Sequence, residues 1–331
     1  MNGVKTADVL SDVLASVRLT GAVYFDFDLS SPWVAEAPAS SEVGPVVMPG
    51  AQRVIEYHLI ARGNAWGHAV GSPPVRLQEG DLLIFPQGDP HVIASGPGMR
   101  AVPDLRVFER PATPLPIVHE LGGGGSERTR IICGFLGCDE RPFNPLLAAL
   151  PRMIHLRAST PGPASGWLGT LLQIAAGECS AATAGAENVL ARLSELMFVE
   201  AVRRYLVTLP EAERGWLAGL RDPIVGRALA VMHASPSEAW TVERLARAVG
   251  TSRSVLAERF TELVGQPPMQ YLSLWRMQVA ARHLKDGHAV NAVAGLVGYE
   301  SEAAFSRAFR KLVGSAPALW KRDAALASRR L

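Results

Sequence analysis

Residues 260–271, FTELVGQPPMQY, recur as residues 309–320, FRKLVGSAPALW, with an offset of 49 residues (260 to 309). A short helix-forming segment that ends in glycine precedes each copy: LARAVG at 245–250 and VAGLVG at 293–298. Two copies are too few to bury the continuous core of a solenoid. The duplication therefore predicts two copies of a three-helix unit in the last third of the chain.

Each copy contains the parts of a helix-turn-helix. In the first copy, Gly250 supplies the left-handed turn after one short helix, and Thr251-Ser252 caps the next helix. The positions of that next helix predicted to face inward are Val255, Leu256, Phe260 and Leu263. In the second copy Gly298 turns the chain, and Glu300 or Ser301 caps the following helix. Its predicted inward positions are Ala304, Phe305, Ala308, Phe309 and Leu312.

The caps and outward positions of the two second helices are the candidate DNA contacts. They are Ser252, Arg253, Ser254, Glu258 and Arg259 in the first copy, and Ser301, Glu302, Ser306, Arg307, Arg310 and Lys311 in the second. Arg307 and Arg310 can contact base edges or phosphates. Between the copies, YLSLWRMQVAARHLK (271–285) predicts a long helix. Such a rigid spacer suits two helices that must reach major-groove segments ~34 Å apart.

The charge distribution favours a polyanionic partner for the same region. From Thr241 to Leu331 the sequence has 14 Lys and Arg against 7 Asp and Glu, a net charge of +7. The whole chain has 33 against 31, so the first 240 residues have 19 against 24, a net charge of −5. A basic C-terminal block beside an acidic remainder indicates nucleic acid as the partner. A solvated basic surface, or a helical bundle that binds protein, is the alternative.

The C-terminal block resembles the DNA-binding domain of the AraC/XylS family of transcription regulators. The resemblance rests on Gly298-Tyr299, on Phe305-Ser306-Arg307 and on the Pro-x-x-aromatic-basic ending at Pro317–Lys321. One departure is AVNA (289–292), where family members often have an isoleucine-rich helix opening. The resemblance implies double-stranded DNA as a partner, a homodimer, and RNA polymerase as a further partner if the protein is an activator.

The N-terminal part has the pattern of an all-β domain. Strand-like runs such as RVIEYHLIARG (53–63) and RTRIICGFLG (128–137) lie between residues 20 and 135. Gly and Pro recur between these runs, which favours a sandwich or a barrel. The stretch from Glu109 to Glu127, with RPATPLP and GGGGS, predicts a loop.

The segment GDLLIFPQGDPH (80–91) resembles the second motif of the cupin family, Gly-x5-Pro-x-Gly-x2-His, with Ser95 in place of its terminal Asn. Of the first motif, Glu56 stands at the expected distance before Gly63, but PGAQ (49–52) replaces the His-x-His. Cupin enzymes use that histidine pair to hold a metal, so its loss argues against catalysis. The resemblance implies a cupin-like sensor domain of the kind that AraC-type regulators carry.

Four residues of this part are candidate zinc ligands: His58, His91, Cys133 and Cys138. His58 lies two residues after Glu56, on the same strand face, and a barrel would point both side chains inward. Two imidazoles and two thiolates can hold Zn²⁺ tetrahedrally. The five-residue separation of the thiols places them on opposite strand faces unless Gly134 or Gly137 creates a bulge. A redox-active thiol pair and simple core packing are the alternatives.

The chain becomes helical in pattern after Pro145. Segments 164–178 and 186–207 have helical periodicity. The two helices form a hairpin that packs on the barrel or pairs with a second subunit. The predicted fold class is therefore α+β multidomain: a cupin-like β-barrel (1–145), a helical connector for dimerisation (146–222) and an all-α double helix-turn-helix (223–331).

Membrane insertion and export are not expected. No apolar run reaches the eighteen or so residues that a membrane span needs. The N-terminus, MNGVKTADVLSDVLASVRL (1–19), lacks the clean apolar block of a signal peptide, so a cytoplasmic location is expected. Three cysteines are too few for a disulfide scaffold.

The sequence thus predicts a sequence-specific DNA-binding transcription regulator, controlled by a small molecule or a metal in the cupin-like domain. The competing class is an enzyme, namely a metal-dependent cupin with a helical appendage, and the missing His-x-His argues against it. A third possibility is an architectural DNA-binding protein that senses no ligand.

Overall fold

The computed structural model describes residues 8–17, 19–110, 115–139, 141–158, 165–181, 183–210 and 213–328. The described residues form two compact units. Those within Met1–Val17, Glu140–Ala149 and Leu209–Leu331 form the helical unit, and those within Arg18–Asp139 and Leu150–Thr208 form the sheet unit. The helical hairpin predicted as a connector is thus grouped with the sheets.

The strands of the described residues all belong to the sheet unit. They are β1 (Leu19–Ser30), β2 (Val34–Ala37), β3 (Arg53–Arg62), β4 (Asn64–Ala69), β5 (Val75–Gln78), β6 (Leu82–Phe85), β7 (His91–Ala94), β8 (Ile117–Gly122), β9 (Arg128–Cys138) and β10 (Ile154–Leu156). They form a six-stranded sheet in the order β10-β6-β3-β9-β1-β8 and a four-stranded sheet in the order β2-β7-β4-β5.

The helices of the described residues are α1 (Val9–Ser16), α2 (Ser40–Val47), α3 (Pro145–Ala149), α4 (Ser165–Ala181), α5 (Ala186–Thr208), α6 (Trp216–Arg221), α7 (Val225–Ala234), α8 (Val242–Val249), α9 (Arg253–Val264), α10 (Pro268–Lys285), α11 (Val290–Leu296), α12 (Glu302–Val313) and α13 (Pro317–Ser328). Helices α2, α4 and α5 lie in the sheet unit. The other α-helices form the helical unit, and a short 3₁₀ helix, Leu105–Phe108, lies in the sheet unit.

One strand lies where the sequence predicts a loop. β8 falls within the stretch 109–127 and pairs in parallel with β1, from Phe25 opposite Ile117 to Ser30 opposite Gly122. It is an edge strand, with both Val118 and Leu121 exposed. The loop prediction is therefore wrong for this segment. The pairing partner is distant in sequence, so local turn signals do not reveal it.

Helix α5 packs against β1 and completes the core of the sheet unit. Tyr57 on β3 is buried, and its hydroxyl lies 2.5 Å from the Ser194 hydroxyl of α5. Between the two sheets, aromatic and aliphatic side chains form a continuous core that includes Tyr24, Phe85 and Phe135. The central strands β3 and β9 are buried along almost their whole length, so both faces of these strands are covered.

The helical unit contains both predicted helix-turn-helix copies. Gly250 follows α8 with a φ of 75°, and Gly298 follows α11 with a φ of 77°, so each turn uses the left-handed conformation that glycine adopts at little cost. Phe260 and Phe309 are fully buried at equivalent places in the two copies. From residue 223 to residue 328 the described chain forms seven helices, α7 to α13. The predicted fold class is confirmed.

Two inward positions are wrong in detail. Val255 is 43% exposed and Leu312 is 36% exposed, although the helical periodicity predicts that both are buried. The buried face of each helix is narrower than the periodicity indicates. In α9 the fully buried side chains are Leu256 and Phe260, and in α12 they are Phe305 and Phe309.

Candidate metal centre and nucleic-acid interface

Three strands bring four polar side chains together inside the sheet unit. Glu56 and His58 lie two residues apart on β3, so both project from the same face of the strand. Cys133 lies opposite His58 in the antiparallel β3–β9 register, and His91 is the first residue of β7. All four side chains are buried.

The contacts within this cluster determine where its protons lie. His91 Nδ1 is 3.0 Å from the carbonyl oxygen of Asp89, so Nδ1–H donates and the neutral ring keeps Nε2 as an acceptor. His58 Nε2 is 2.7 Å from that nitrogen and donates to it. His58 Nδ1, 2.9 Å from Cys133 Sγ, then accepts from the thiol. The neutral cluster is therefore a one-directional chain from Cys133 to Asp89.

Burial keeps each of these groups uncharged near neutral pH. It raises the pKa of Glu56 to about 8, although a hydrogen bond from Ser40 to the carboxylate opposes the shift. Burial lowers the pKa of His91 to about 4 and that of His58 well below its usual value. Burial also raises the pKa of the Cys133 thiol. A bound cation would reverse this balance, because it stabilises the ionised carboxylate and the free imidazole lone pairs.

The cluster contains a set of residues that could hold a metal ion. Among the described residues, Glu56, His58 and His91 each offer a ligand atom, and these atoms lie within 4.8 Å of one another. Two imidazoles and one carboxylate form a donor set that zinc and other divalent transition metals accept. The bond from His91 to the Asp89 carbonyl is the outer-shell contact usual for a metal-bound imidazole. Sequence reasoning placed Glu56 on the correct strand face but did not count it as a ligand.

The predicted ligand set His58, His91, Cys133 and Cys138 is only partly brought together. Cys133 contacts the Nδ1 side of the His58 ring, away from His91. Cys138 pairs with Arg53 at the far end of β9, ~16 Å from Cys133 along the strand. The regular β3–β9 pairing between these positions contains no bulge, so the two thiols lie on opposite faces. A disulfide between them would need Cα atoms closer than ~7 Å.

A cavity of about 380 Å³ lies beside the cluster. Glu56, His58, His91 and Cys133 line one part of it. The apolar wall includes Phe25, Phe27, Trp33, Ile93, Phe108 and Phe135. The volume falls within the range of small-molecule binding sites.

The predicted DNA contacts lie on α9 and α12 of the helical unit. Ser252 caps α9 by accepting from the Val255 N–H at 3.3 Å, and Ser301 caps α12 by accepting from the Ala304 N–H at 3.2 Å. The other candidates on the two helices are all exposed except Ser306, which is half-buried: Arg253, Ser254, Glu258, Arg259, Glu302, Ser306, Arg307, Arg310 and Lys311. Both helices thus present a polar outward face and a polar N-terminus.

The two faces differ in how their cations are paired. On α9, Arg253 Nε lies 2.8 Å from Glu243, and Arg259 Nε lies 2.6 Å from Asp222. Within the part of the chain that the structure describes, no carboxylate pairs with the cations of α12, which are Arg307, Arg310 and Lys311. Asp222 lies 37 positions before Arg259, so neither periodicity nor local spacing reveals this pairing.

Comparisons with known proteins agree with this arrangement. A family model described as cupin matches residues 8–207, and one described as helix-turn-helix domain matches residues 245–323. The chain is 35% identical over 271 residues to an AraC-like transcription regulator of Streptomyces lividans, which covers 81% of this chain and 86% of that protein. It is 27% identical over 311 residues to the transcriptional regulator AlkR of Acinetobacter baylyi, and this match covers 94% of this chain and 97% of AlkR.

This chain belongs to the AraC-like transcription regulators. It is a DNA-binding regulator with an N-terminal cupin domain, and the comparisons offer nothing in favour of an enzyme. Among solved structures, the DNA-binding domain of AdpA in complex with a target DNA is 34% identical, with a TM-score of 0.30, and the match covers 33% of this chain and 96% of that one. None of the described helices of this AraC-like regulator is both long and apolar enough to cross a membrane.

Proposed function

We propose that this AraC-like regulator reads double-stranded DNA by placing α9 and α12 in two successive major-groove segments. The observation that carries the proposal is the duplicated helix-turn-helix, in which both capped helices expose their outward faces. The long helix α10 lies between the copies and sets their spacing. Successive major-groove segments on one side of B-DNA are ~34 Å apart.

The proposed DNA contacts divide by chemistry. Ser252 and Ser301 cap α9 and α12 with their side-chain oxygens. In the proposed complex, these two helix N-termini lie against the phosphates of the duplex. Arg307, Arg310 and Lys311 reach phosphates or guanine edges. The proposed base-reading positions are Ser254, Glu258 and Ser306, with Arg253, Arg259 and Glu302 at the edges of the two faces.

We further propose that the cupin domain is the sensor and that zinc or a small molecule is its effector. Zinc would be held by Glu56, His58 and His91, which also line the cavity. Zinc coordination would place the His58 proton on Nδ1, where it would donate to Cys133. An effector changes DNA binding only through a difference in its affinity for the two states of the regulator.

The remaining assignments complete the proposal. Residues 1–145 are proposed to sense, 146–222 to dimerise and 223–331 to bind DNA. The α4–α5 hairpin exposes Ile174, Val189 and Leu196, and these apolar side chains support pairing with a second copy. Bacterial chromosomal DNA lies in the cytoplasm, so a regulator of transcription is placed there, with RNA polymerase as a further partner if it activates.

The DNA proposal is tested by selecting genomic fragments with the full-length protein and measuring affinity for the selected sites. We expect a variant with Arg307→Ala, Arg310→Ala and Lys311→Ala together to lose most specific binding, because each contributes a charge to the interface. Arg76→Ala on β5 is the control for an exposed arginine in the sheet unit. Equal affinity of the triple variant and the wild type would refute the proposed face.

The zinc proposal is tested by elemental analysis of purified full-length protein. We expect one zinc per chain, lost in His91→Ala and in Glu56→Gln and retained in Cys138→Ser. Loss of zinc in Cys138→Ser would favour the tetrahedral thiolate site predicted from the sequence. A folded wild-type protein that binds no added zinc would refute both sites.

A further inference from the structure

Apart from the metal cluster, the wall of the sheet-unit cavity offers few groups that a polar ligand could bind. Among the described residues that line it, there is no Asn, Gln, Ser, Thr, Lys or Arg. Of the two lining carboxylates outside the metal cluster, Glu36 is held by Arg100 and by the Ala101 N–H, and Asp104 is held by Arg106. A sugar carries a donor and acceptor on nearly every carbon and would leave most of them unpaired here, at a substantial cost each.

The exposed residues that line the mouth of the cavity are apolar except Asp104, which Arg106 holds. Val102, Val107 and Leu121 line the cavity, and their side chains are 91%, 44% and 54% exposed. Exposed apolar side chains grouped around an opening are unusual for a surface without a ligand. A hydrocarbon that enters past them stays in contact with apolar surface along its path.

Trp33 lines the cavity, but its N–H is buried and has no acceptor among the described residues. The whole residue is 6% exposed. Val34, the next residue, pairs with Ala94, whereas His91 pairs with Ala37. Trp33 therefore lies near the opposite end of the β2–β7 ladder from His91, ~13 Å away along the strand. The Trp33 N–H is not accessible to a ligand in the cavity, because its nitrogen has almost no accessible surface.

We infer that the effector of this regulator is an uncharged, mainly hydrocarbon molecule, not a sugar. This inference rests on the proposed sensor function and specifies its ligand. The cavity volume of about 380 Å³, divided by the ~30 Å³ that one water molecule occupies in the liquid, leaves room for roughly a dozen non-hydrogen atoms. The hydrocarbon chain fills the space between the aromatic side chains of the wall.

The test is calorimetric titration of the full-length protein with 2-heptanone, 2-nonanone and 2-undecanone. We expect affinity to rise about fourfold for each added methylene, because each buries apolar surface in the cavity, and to stop rising in 2-tridecanone. Ribose, which has as many non-hydrogen atoms as 2-nonanone, is the polar control and is expected not to bind. Binding of ribose, or ketone affinities independent of chain length, would overturn the inference.

Variants test the wall and the entrance separately. We expect Trp33→Phe, which keeps an aromatic ring in the wall, to change ketone binding less than about twofold and to preserve the increment per methylene, because the buried N–H does not reach the ligand. Leu121→Asp at the mouth is expected to weaken binding at least tenfold, whereas Val118→Asp, exposed on the same strand but outside the lining, leaves it unchanged. Equal effects of the two aspartates would contradict entry through this mouth.

DNA binding measured on the same preparations separates this inference from the proposed function. If the wild-type protein binds its selected DNA site and no ketone, the effector class is wrong and the regulator proposal stands. If it binds ketones but shows no sequence preference on DNA, the regulator proposal fails and the cavity assignment stands.

Discussion

The two helix-turn-helix copies of the helical unit share their packing and differ in their charge. Both bury a phenylalanine at the same place, Phe260 in α9 and Phe309 in α12, and both end at a left-handed glycine. The net charge of α9 is zero, since two arginines balance two glutamates, whereas three cations and one glutamate give α12 a net charge of +2.

This difference predicts that α9 and α12 contribute to DNA binding in different ways. The arginines of α9 already have carboxylate partners, which must be given up or shared before a phosphate is bound. The cations of α12 lack such partners in the described part of the chain, so they are available to release counterions from the duplex. We expect α12 to supply most of the electrostatic affinity and α9 to add readout by shape and hydrogen bonding.

The shared core gives the largest expected effect. Phe260→Ala and Phe309→Ala should each lower the free energy of unfolding by ~3–5 kcal/mol, because each removes a fully buried aromatic ring. Denaturant unfolding of the full-length protein measures both. A loss below ~1 kcal/mol in one variant would show that this copy is not packed as described.

Replacement of the turn glycines, Gly250 and Gly298, should give the next largest loss of stability, and the loss should differ between the two copies. Gly250→Ala should cost ~1–2 kcal/mol from its positive φ alone, since its added methyl group meets open space. Gly298→Ala should cost ~1–3 kcal/mol more, because that methyl group would collide with the backbone carbonyl of Ser237. Equal losses of stability in the two variants would contradict this difference in packing.

Single arginines test the charge difference directly. Arg307→Ala should weaken specific DNA binding by ~1–3 kcal/mol if it reads a base. If Arg307 instead binds a phosphate, the slope of log affinity against log salt should fall by ~0.9. Arg253→Ala should change both quantities less, because Glu243 already offsets its charge. A larger loss for Arg253→Ala in fluorescence anisotropy would reverse the assigned roles of α9 and α12.

Acid should destabilise the helical unit through His233, and this is the smallest of the expected effects. Burial lowers the pKa of His233, which is stacked on Trp275 and accepts a hydrogen bond from Tyr271 or donates one to it. A lowered pKa means that the unfolded chain binds the proton more tightly, so stability is complete above pH 6.5 and falls as the pH drops below it.

A second histidine of the helical unit provides the comparison. His283, which is half-buried on α10, also has a lowered pKa through burial, so its replacement should remove less of the pH dependence. Unfolding of His233→Gln and His283→Gln at pH 7.5 and pH 5.5 measures the two contributions. If His233→Gln kept the full wild-type loss of stability at pH 5.5, another group would be responsible.

Local signals made the helix-turn-helix predictable from sequence. Serine caps at Ser252 and Ser301, and glycine turns at Gly250 and Gly298, are interactions between residues only a few positions apart. Such short-range features depend little on the rest of the fold. The duplication then fixed which residues are equivalent in the two copies.

Long-range pairing explains what the sequence did not reveal. β8 forms because β1 offers an edge, and Arg259 is neutralised because the fold brings Asp222 to it. The metal cluster shows the same limit. Regular pairing of β3 with β9 separates Cys138 from Cys133, while Glu56 takes a place beside the two imidazoles.

Hydroxyl-radical footprinting of the full-length protein on a selected genomic site tests the central claim most directly. Two helix-turn-helix copies on one side of the duplex predict two protected windows about one helical turn, ~10 base pairs, apart. Protection at the α12 window should be lost first as salt is raised. A single protected window, or uniform protection along every fragment, would contradict the account.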